Sequence, residues 1–297
     1  MSDAYDYGNA RVAARRGRLL APDAIQRLAE SGSPSAAIAQ LERSADWRHA
    51  IDHARQWATE APGVLETAIE LHRATELAAL PRWYDGAARS LVEALVSDLD
   101  CERVAAILRR RRAGQDAETI NPSILEGALL DDVRLAELAR ATPPAAAFAL
   151  LARLGLIDRI DAGRLAGAFA DGDPAEFEAM LAAAWNRLRL RRAAGPGPDA
   201  EKVRSMMAED ARDESVVRAE LAEGGAAGAS LVERSLAFAR LDRRAHLARR
   251  EPDGIGPVCG YVAAIEAQTI RMRLASVRLS AGWTREVARS YLAAGVA

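Results

Sequence analysis

Residues 255–292 read IGPVCGYVAAIEAQTIRMRLASVRLSAGWTREVARSYL, and the rest of the chain is organised around this stretch. Gly256-Pro257 opens it and predicts a helix start, because a turn followed by proline suits the first turn of a helix. No proline interrupts Val258–Ala281, so the pattern predicts one helix of 24 residues, roughly 36 Å long. Gly282 then predicts a helix end, and Thr284 can cap a short helix that follows.

The predicted helix carries two apolar stripes, which require packing neighbours on two sides. We therefore expect it to lie in the middle of a helical assembly. Glu266 and Arg273 lie between the stripes, and Glu266 is expected to pair with an arginine of an adjacent helix rather than to act in catalysis. The first stripe comprises Val258, Tyr261, Val262, Ile265, Met272 and Leu279, and the second comprises Ile270, Leu274 and Val277.

The composition allows two or three domains and argues against nucleic acid as a partner. The chain has 297 residues, half of them hydrophobic, and a formal net charge of -2, whereas a nucleic-acid-binding domain is distinctly basic. Of the 40 basic residues, all but Lys202 are arginines. Cys101 and Cys259 are too few for a disulfide framework, so we expect them to be reduced packing residues.

Signal-peptide and membrane-span patterns are missing from the sequence. The N-terminal residues 1–20 lack an apolar core. The longest apolar run, Pro143–Ile157, is too short for a span and contains Arg153. We therefore expect a soluble, cytoplasmic protein without direct membrane insertion.

Composition and spacing predict an all-α fold. Alanine, leucine, arginine and glutamate dominate, and no segment alternates as a half-buried strand does. Arg192–Lys202 is predicted to be a mobile linker, and Gly224–Gly228 a second flexible point. Glycine and proline predict helix breaks at residues 31–34, 61–63, 113–114, 142–144, 171–174, 195–198, 224–225 and 252–257.

Two glycine stops indicate an internal repeat. Gly114 and Gly282 each follow arginines at the same two spacings, four and eleven residues earlier, and each precedes a glutamate four residues later. Residues 9–25 resemble a partial third copy. The repeat predicts three helical domains, at residues 1–80, 81–180 and 181–297.

No motif for catalysis, cofactor binding or metal binding emerges from the sequence. The phosphate loop, the strand-based dinucleotide loop and the serine nucleophile elbow are all missing. His49 and His53 are four residues apart and could share a helix face, but nearby residues supply no third and fourth ligand. We therefore predict no catalytic, cofactor-binding or metal-binding residue, with a helical enzyme using these histidines as a remaining alternative.

Charged clusters are interpreted as solvated. The run Arg109–Arg112 ends a helix, where the helix dipole favours cations, and its members spread around all faces. Residues 187–192 are interpreted in the same way. The acidic pairs Asp131-Asp132 and Glu209-Asp210 lie in no apolar pocket that would suit acid–base chemistry.

Three groups of residues, in order along the chain, resemble the C subunit of the vacuolar/archaeal-type (V/A-type) ATP synthases, a relative of the d subunit of V-ATPases. Departures from that family's pattern are Arg103 and Arg271 in place of asparagine, and Gln268 in place of an acidic residue. Little of residues 171–228 can be matched. The three groups are Tyr7, Asn9, Ala10, Arg11, Val12, Leu19 and Leu20; Asp100, Leu108, Arg109, Gly114, Glu118, Ile120, Pro122 and Gly127; and Gly256, Pro257, Tyr261, Glu266 and Arg273.

The resemblance implies three similar helical-bundle domains in a pseudo-threefold funnel and a non-catalytic role in a rotary ATPase. Such a subunit sits at the cytoplasmic face of the membrane, joins the rotor ring of c/K/L-type proteolipid subunits to the D and F subunits of the central shaft, and transmits torque. A helical-repeat adaptor with unrelated protein partners is the alternative. The resemblance marks as structural or coupling positions Asn9, Arg11, Asp100, Arg109, Gly114, Tyr261, Glu266, Arg273 and Gly282.

Overall fold

The computed structural model describes residues 3–120 and 126–281, and every regular element in these two ranges is helical. The all-α prediction is therefore confirmed. Short 3-10 helices lie at Leu80–Trp83 and Ala117–Thr119. The α-helices are α1 (Asp3–Arg16), α2 (Pro22–Ala29), α3 (Pro34–Leu41), α4 (Ala45–Ala54), α5 (Ala61–Ala79), α6 (Gly86–Val96), α7 (Asp98–Arg112), α8 (Asp132–Arg140), α9 (Pro144–Arg153), α10 (Arg159–Asp171), α11 (Pro174–Arg192), α12 (Pro198–Arg250) and α13 (Gly256–Ala281).

Most of the helix breaks predicted from glycine and proline coincide with helix ends in the structure. Seven predicted breaks coincide with helix ends, and the predicted break at residues 224–225 is wrong because α12 continues through it. A glycine inside a helix costs about 1 kcal/mol relative to alanine, and good helix formers on both sides outweigh that cost. The predicted linker is shorter than expected, since α11 ends at Arg192 and α12 begins at Pro198.

The chain divides into two compact units. Unit 1 comprises Met1–Trp83 and Asp213–Ala297, and unit 2 comprises Tyr84–Arg212. The three-domain division at residues 80 and 180 stays a prediction. Gly282 and the short helix expected after it lie outside the described residues, as does Pro122.

Unit 1 has a core in which α13 packs against α2, α3 and α5. Trp47 of α4 is 2% exposed and stacks on His72 of α5, with ring centroids 4.2 Å apart. Met272 and Ala275 bring α13 into the same cluster. The helices α2 to α5 are therefore joined to the organising helix α13 by one apolar core.

Unit 2 has a core centred on aromatic side chains. Phe148, Phe169 and Phe177 pack edge to face, with centroids 5.3–5.9 Å apart. Trp185 of α11 is buried, and its indole N–H donates to the Ser97 carbonyl at 2.9 Å. This hydrogen bond satisfies the polar atom that a buried tryptophan would otherwise leave unpaired.

Helix α13 is confirmed at Gly256–Ala281, two residues longer at its start than predicted. Residues 258–263 are buried on every face, whereas later in the helix the buried side chains lie on one face only. The first predicted stripe is buried except for half-buried Leu279. The second is wrong as a buried face, because Ile270 and Leu274 are half-buried and Val277 is 39% exposed.

A glycine in α13 allows a close approach between two helices of unit 1. A Cβ added at Gly260 would lie 2.5 Å from the Cβ of Ala248 in α12. We expect Gly260→Ala to lower the free energy of unfolding by about 1 kcal/mol, since overpacking costs about 1–3 kcal/mol and alanine gains only about 1 kcal/mol of helix propensity. Urea denaturation measures the change.

The matched control for this substitution is Gly163→Ala in α10. A Cβ at Gly163 would meet no atom within 4 Å, so this change should raise the free energy of unfolding by about 0.5–1 kcal/mol. If Gly260→Ala stabilised the protein as much as Gly163→Ala does, the close approach of α12 and α13 would be contradicted.

Candidate functional site

Polar side chains join α13 to the N-terminal segment of unit 1. Asn9 of α1 donates from Nδ2 to the carbonyl oxygen of Gly254 at 3.0 Å, in the turn before α13. The backbone N–H of Leu20 donates to Oε1 of buried Gln268 at 2.6 Å. Gln268, which departs from the family pattern, therefore still has a structural role.

Tyr261 heads a buried polar network between α13, α5, α1 and α4. Its hydroxyl donates to Glu76 Oε2, and Arg15 Nη1 lies 3.1 Å from the other oxygen of the Glu76 carboxylate. Arg15 also reaches Asp46 at 3.5 Å. Burial, followed by the hydrogen bond with Glu76, raises the pKa of the Tyr261 hydroxyl, so Tyr261 stays protonated and remains a donor.

Glu266 forms the buried ion pair that the sequence predicts. Arg73 of α5 donates from Nε to Glu266 Oε1 at 2.9 Å, and Arg73 Nη2 lies 2.9 Å from the same oxygen. The Arg73 side chain is 4% exposed and that of Glu266 is 19% exposed. Arg273, about two turns further along α13, pairs with Glu70 of α5 at 2.8 Å but is 49% exposed.

His72 is a buried titratable residue that the sequence interpretation missed in favour of His49 and His53. Its Nε2 atom is buried without a hydrogen-bond partner among the described residues. Burial lowers the pKa of His72 to about 4; Asp46 opposes this shift and Arg15 adds to it. The spacing in the sequence indicates the burial of His72, because His72 lies three residues after Ile69 and four after Ala68, and these apolar positions share its helix face.

Asp100 of α7 organises a turn in unit 2. Its carboxylate accepts the backbone N–H groups of Leu129 and Leu130 at 3.0–3.1 Å. A Cβ at Gly127 would lie 2.2 Å from Asp100 Oδ1, so this turn requires glycine. Burial, opposed by these backbone N–H groups, raises the pKa of Asp100 to about 6. Two residues of the second motif, 27 positions apart, thus meet in one structural feature.

The arginines that end α7 hold neighbouring helices as well as facing solvent. Arg109 is 58% exposed and lies 3.3 Å from Glu178. Arg111 and Arg112 donate to the carbonyl oxygens of Ala139 and Gly172, near the ends of α8 and α10. Gly114 follows with φ at +76°, which confirms the helix stop predicted there.

The solvated interpretation of residues 187–192 is wrong for Arg189. Its side chain is 6% exposed, pairs with Asp98 at 2.8 Å and donates to the Ala94 carbonyl. Asp210, also predicted to be solvated, is 4% exposed and lies 3.9 Å from Arg189. Periodicity could not reveal this, since the partner groups are distant in the sequence.

Arg11 lies on the exposed side of α1 and approaches two aromatic rings. Its guanidinium carbon is 5.6 Å from the ring centroid of Tyr7 and 5.6 Å from that of Trp83. Tyr7 is 63% exposed. This stack differs from the buried pairs described above because Arg11 is exposed to solvent.

Metal-ligand clusters and membrane-spanning helices can be assessed for residues 3–120 and 126–281. Within these ranges, no group of three His, Cys, Asp or Glu side chains could hold a metal ion. His49 is exposed on α4 and His53 is half-buried. The same ranges contain no helix that is long and apolar enough to cross a membrane.

The polar contacts described above hold helices, or a helix and a turn, to one another. The family model of the ATP synthase (C/AC39) subunit matches residues 8–211. The chain therefore belongs to the ATP synthase C/AC39 subunit family, whose members are subunits of the rotary ATP synthase and not the catalytic ones. No curated protein sequence matches the chain.

The buried and exposed ion pairs of α13 predict different costs on substitution. Glu266→Gln should lower the free energy of unfolding by roughly 2–3 kcal/mol, because it removes a counter-charge from the buried Arg73 guanidinium. Arg273→Gln should lower it by about 1 kcal/mol or less, because that pair is half exposed. Denaturant unfolding of the two variants tests the prediction, which equal losses would contradict.

His72 predicts a pH dependence of stability in unit 1. Its pKa is about 4 in the folded state against 6.5 when unfolded, so the unfolded chain binds more protons between these values and stability falls as the pH is lowered. The His72 contribution should fall by about 2 kcal/mol between about pH 6.5 and pH 4.5.

The His72→Phe variant, which keeps a ring against Trp47, should lose that part of the slope. Subtracting the variant from wild type removes the contribution of Asp100, whose raised pKa acts in the opposite direction. His49→Phe, changed at an exposed position of α4, is the control and should keep the wild-type slope. Identical slopes for wild type and His72→Phe would show that His72 is not buried as a neutral group.

Proposed function

We propose that this protein is the central-stalk rotor subunit of a V/A-type ATP synthase, a non-catalytic coupler between the membrane rotor ring and the central shaft. Its partners are then the proteolipid subunits of the ring and the D and F subunits of the shaft, at the cytoplasmic face of the membrane. The family match over residues 8–211 is the observation that carries the proposal.

The contacts of α13 support the mechanical part of this role. A coupling protein must transmit torque without deforming, and buried ion pairs resist sliding between helices because any shift separates the charges. Arg73–Glu266 ties α13 to α5, and the Tyr261–Glu76–Arg15 network ties both to α1. These contacts lie within unit 1 and would stiffen it.

The nine residues marked by the resemblance are proposed as structural or coupling positions. Asn9, Tyr261, Glu266 and Arg273 hold helices of unit 1 together, and Asp100 holds a turn of unit 2. Each contact joins residues far apart in the sequence. The three domains at residues 1–80, 81–180 and 181–297 are proposed to form the pseudo-threefold funnel of the rotor subunit.

Affinity purification of the tagged protein from its own membranes tests the proposed partners. Mass spectrometry should identify the proteolipid subunits and the D and F subunits of the shaft in stoichiometric amounts. A helical adaptor with unrelated partners would instead recover proteins that belong to no rotary ATPase, and that result would overturn the proposal.

Coupling provides the functional prediction. In the purified complex, Glu266→Ala should lower the number of ions pumped per ATP hydrolysed by about half or more, because the buried Arg73 then loses the ion pair that ties α5 to α13. Arg273→Ala should have a smaller effect, since its pair with Glu70 is half exposed. ATP hydrolysis and ion uptake are measured on the same reconstituted vesicles. A complex that stays assembled and fully coupled with both changes would contradict a stiffening role for α13.

A further inference from the structure

One face of α1 is exposed and carries an arginine that lies over two aromatic rings. Tyr7, Ala10, Arg11 and Ala14 are exposed and share this side of the helix, and they are called the α1 face below. The opposite side of α1 is anchored by buried Val12, by Asn9 bound to Gly254 and by the Arg15 ion pairs. The α1 face is therefore presented on a helix that cannot easily turn.

The guanidinium of Arg11 has aromatic neighbours but no carboxylate. Its carbon is 5.6 Å from the centroids of both Tyr7 and Trp83. Among the described residues, the Arg11 N–H groups have no hydrogen-bond or ion-pair partner, whereas Arg15 and Arg73 in the same unit each bind carboxylates. Arg11 thus differs from the arginines that hold unit 1 together.

Cation–π contacts of this kind favour one class of ligand. They use none of the guanidinium N–H donors, so these donors remain available in a fork that fits a carboxylate. Restricting the side chain in advance reduces the entropy lost on binding. Tyrosine, tryptophan and arginine are also the residue types that contribute most to binding at protein interfaces.

We propose that the α1 face binds an acidic segment of another protein of the ATP synthase complex, with Arg11 paired to a carboxylate and Tyr7 and Trp83 packed beside it. The proposal rests on one part of the proposed function, that the chain belongs to the ATP synthase complex. It does not depend on the rotor role, since it would hold whichever components of the complex the chain joins. The predicted partner segment presents an aspartate or glutamate next to a flat apolar surface.

The charge of the α1 face favours a protein over a membrane surface. Binding to anionic lipid takes clusters of about four to eight basic residues, whereas the α1 face contains Arg11 alone. Arg18, which follows the end of α1, lies 3.6 Å from Asp46 and so has a carboxylate of its own. A single guanidinium suits a single carboxylate better than a lipid layer.

The near absence of lysine makes the contact directly testable. Lys202 is the one lysine in the sequence and pairs with Asp199 at 3.4 Å. In the purified complex, an Arg11→Lys variant places a second primary amine side chain on the α1 face, and a zero-length carbodiimide reagent couples such an amine to a carboxylate in contact with it. Arg43→Lys, at an exposed position between α3 and α4, is the matched control.

Mass spectrometry should identify a peptide containing position 11 joined to an aspartate or glutamate of another protein of the complex, with any link from position 43 far less abundant. A link to this same chain, to a second copy, or no link at all would overturn the proposal. The affinity purification reports which proteins associate with the chain, whereas the cross-link reports whether position 11 contacts one of them, so a missing link in an intact complex is distinguishable from failure of the proposed function.

Truncation of Arg11 gives an independent measurement. Rebinding of purified Arg11→Ala protein to complex depleted of this chain should be about 30-fold weaker than for wild type, whereas Arg43→Ala should change it less than about twofold. An unchanged thermal melting curve shows that the variant is folded. Unchanged rebinding, or binding to vesicles with anionic lipid that is lost only in the Arg11→Ala variant, would overturn the assignment to a protein partner.

Discussion

The ion pair between Arg73 and Glu266 is the constraint on which the arrangement of unit 1 depends. A buried guanidinium without a counter-charge is far more costly than a missing apolar contact, so α5 and α13 must meet where these two side chains meet. The apolar core around Met272 and Ala275 could tolerate small shifts, because dispersion contacts are non-directional. The ion pair selects one arrangement among them.

Further polar contacts fix the position of the N-terminal segment relative to α5 and α13. Glu76, one turn after Arg73 on α5, accepts from Tyr261 and pairs with Arg15, so α13 and α1 are both fixed relative to the same helix. Asn9 and Gln268 bind backbone groups at Gly254 and Leu20, which fixes the segments on either side. Unit 2 uses the same principle at Asp100, whose carboxylate caps a turn that only glycine at position 127 permits.

The arginines fall into two groups, those that hold helices together and those exposed on the surface. The ion pairs of Arg15, Arg73 and Arg189 each have at least one partner that is almost completely buried, and they join helices. Arg11 is exposed and makes cation–π contacts instead. A subunit of the ATP synthase needs both kinds of residue, since assembly into a complex depends on rigid packing and on specific surfaces.

Local sequence was enough to specify the helices, because helix propensity and the helix-breaking effect of glycine and proline act over a few residues. Helix α13, the stop at Gly114 and most other boundaries could therefore be predicted. An arginine partner for Glu266 could also be predicted, because a carboxylate between apolar stripes needs one. The identity of that arginine, and the burial of His72, Arg189 and Asp210, emerged only on folding. Their environments are created by helices far away in the chain, and a pattern with a period of about 3.6 residues contains no information about which distant face will cover it.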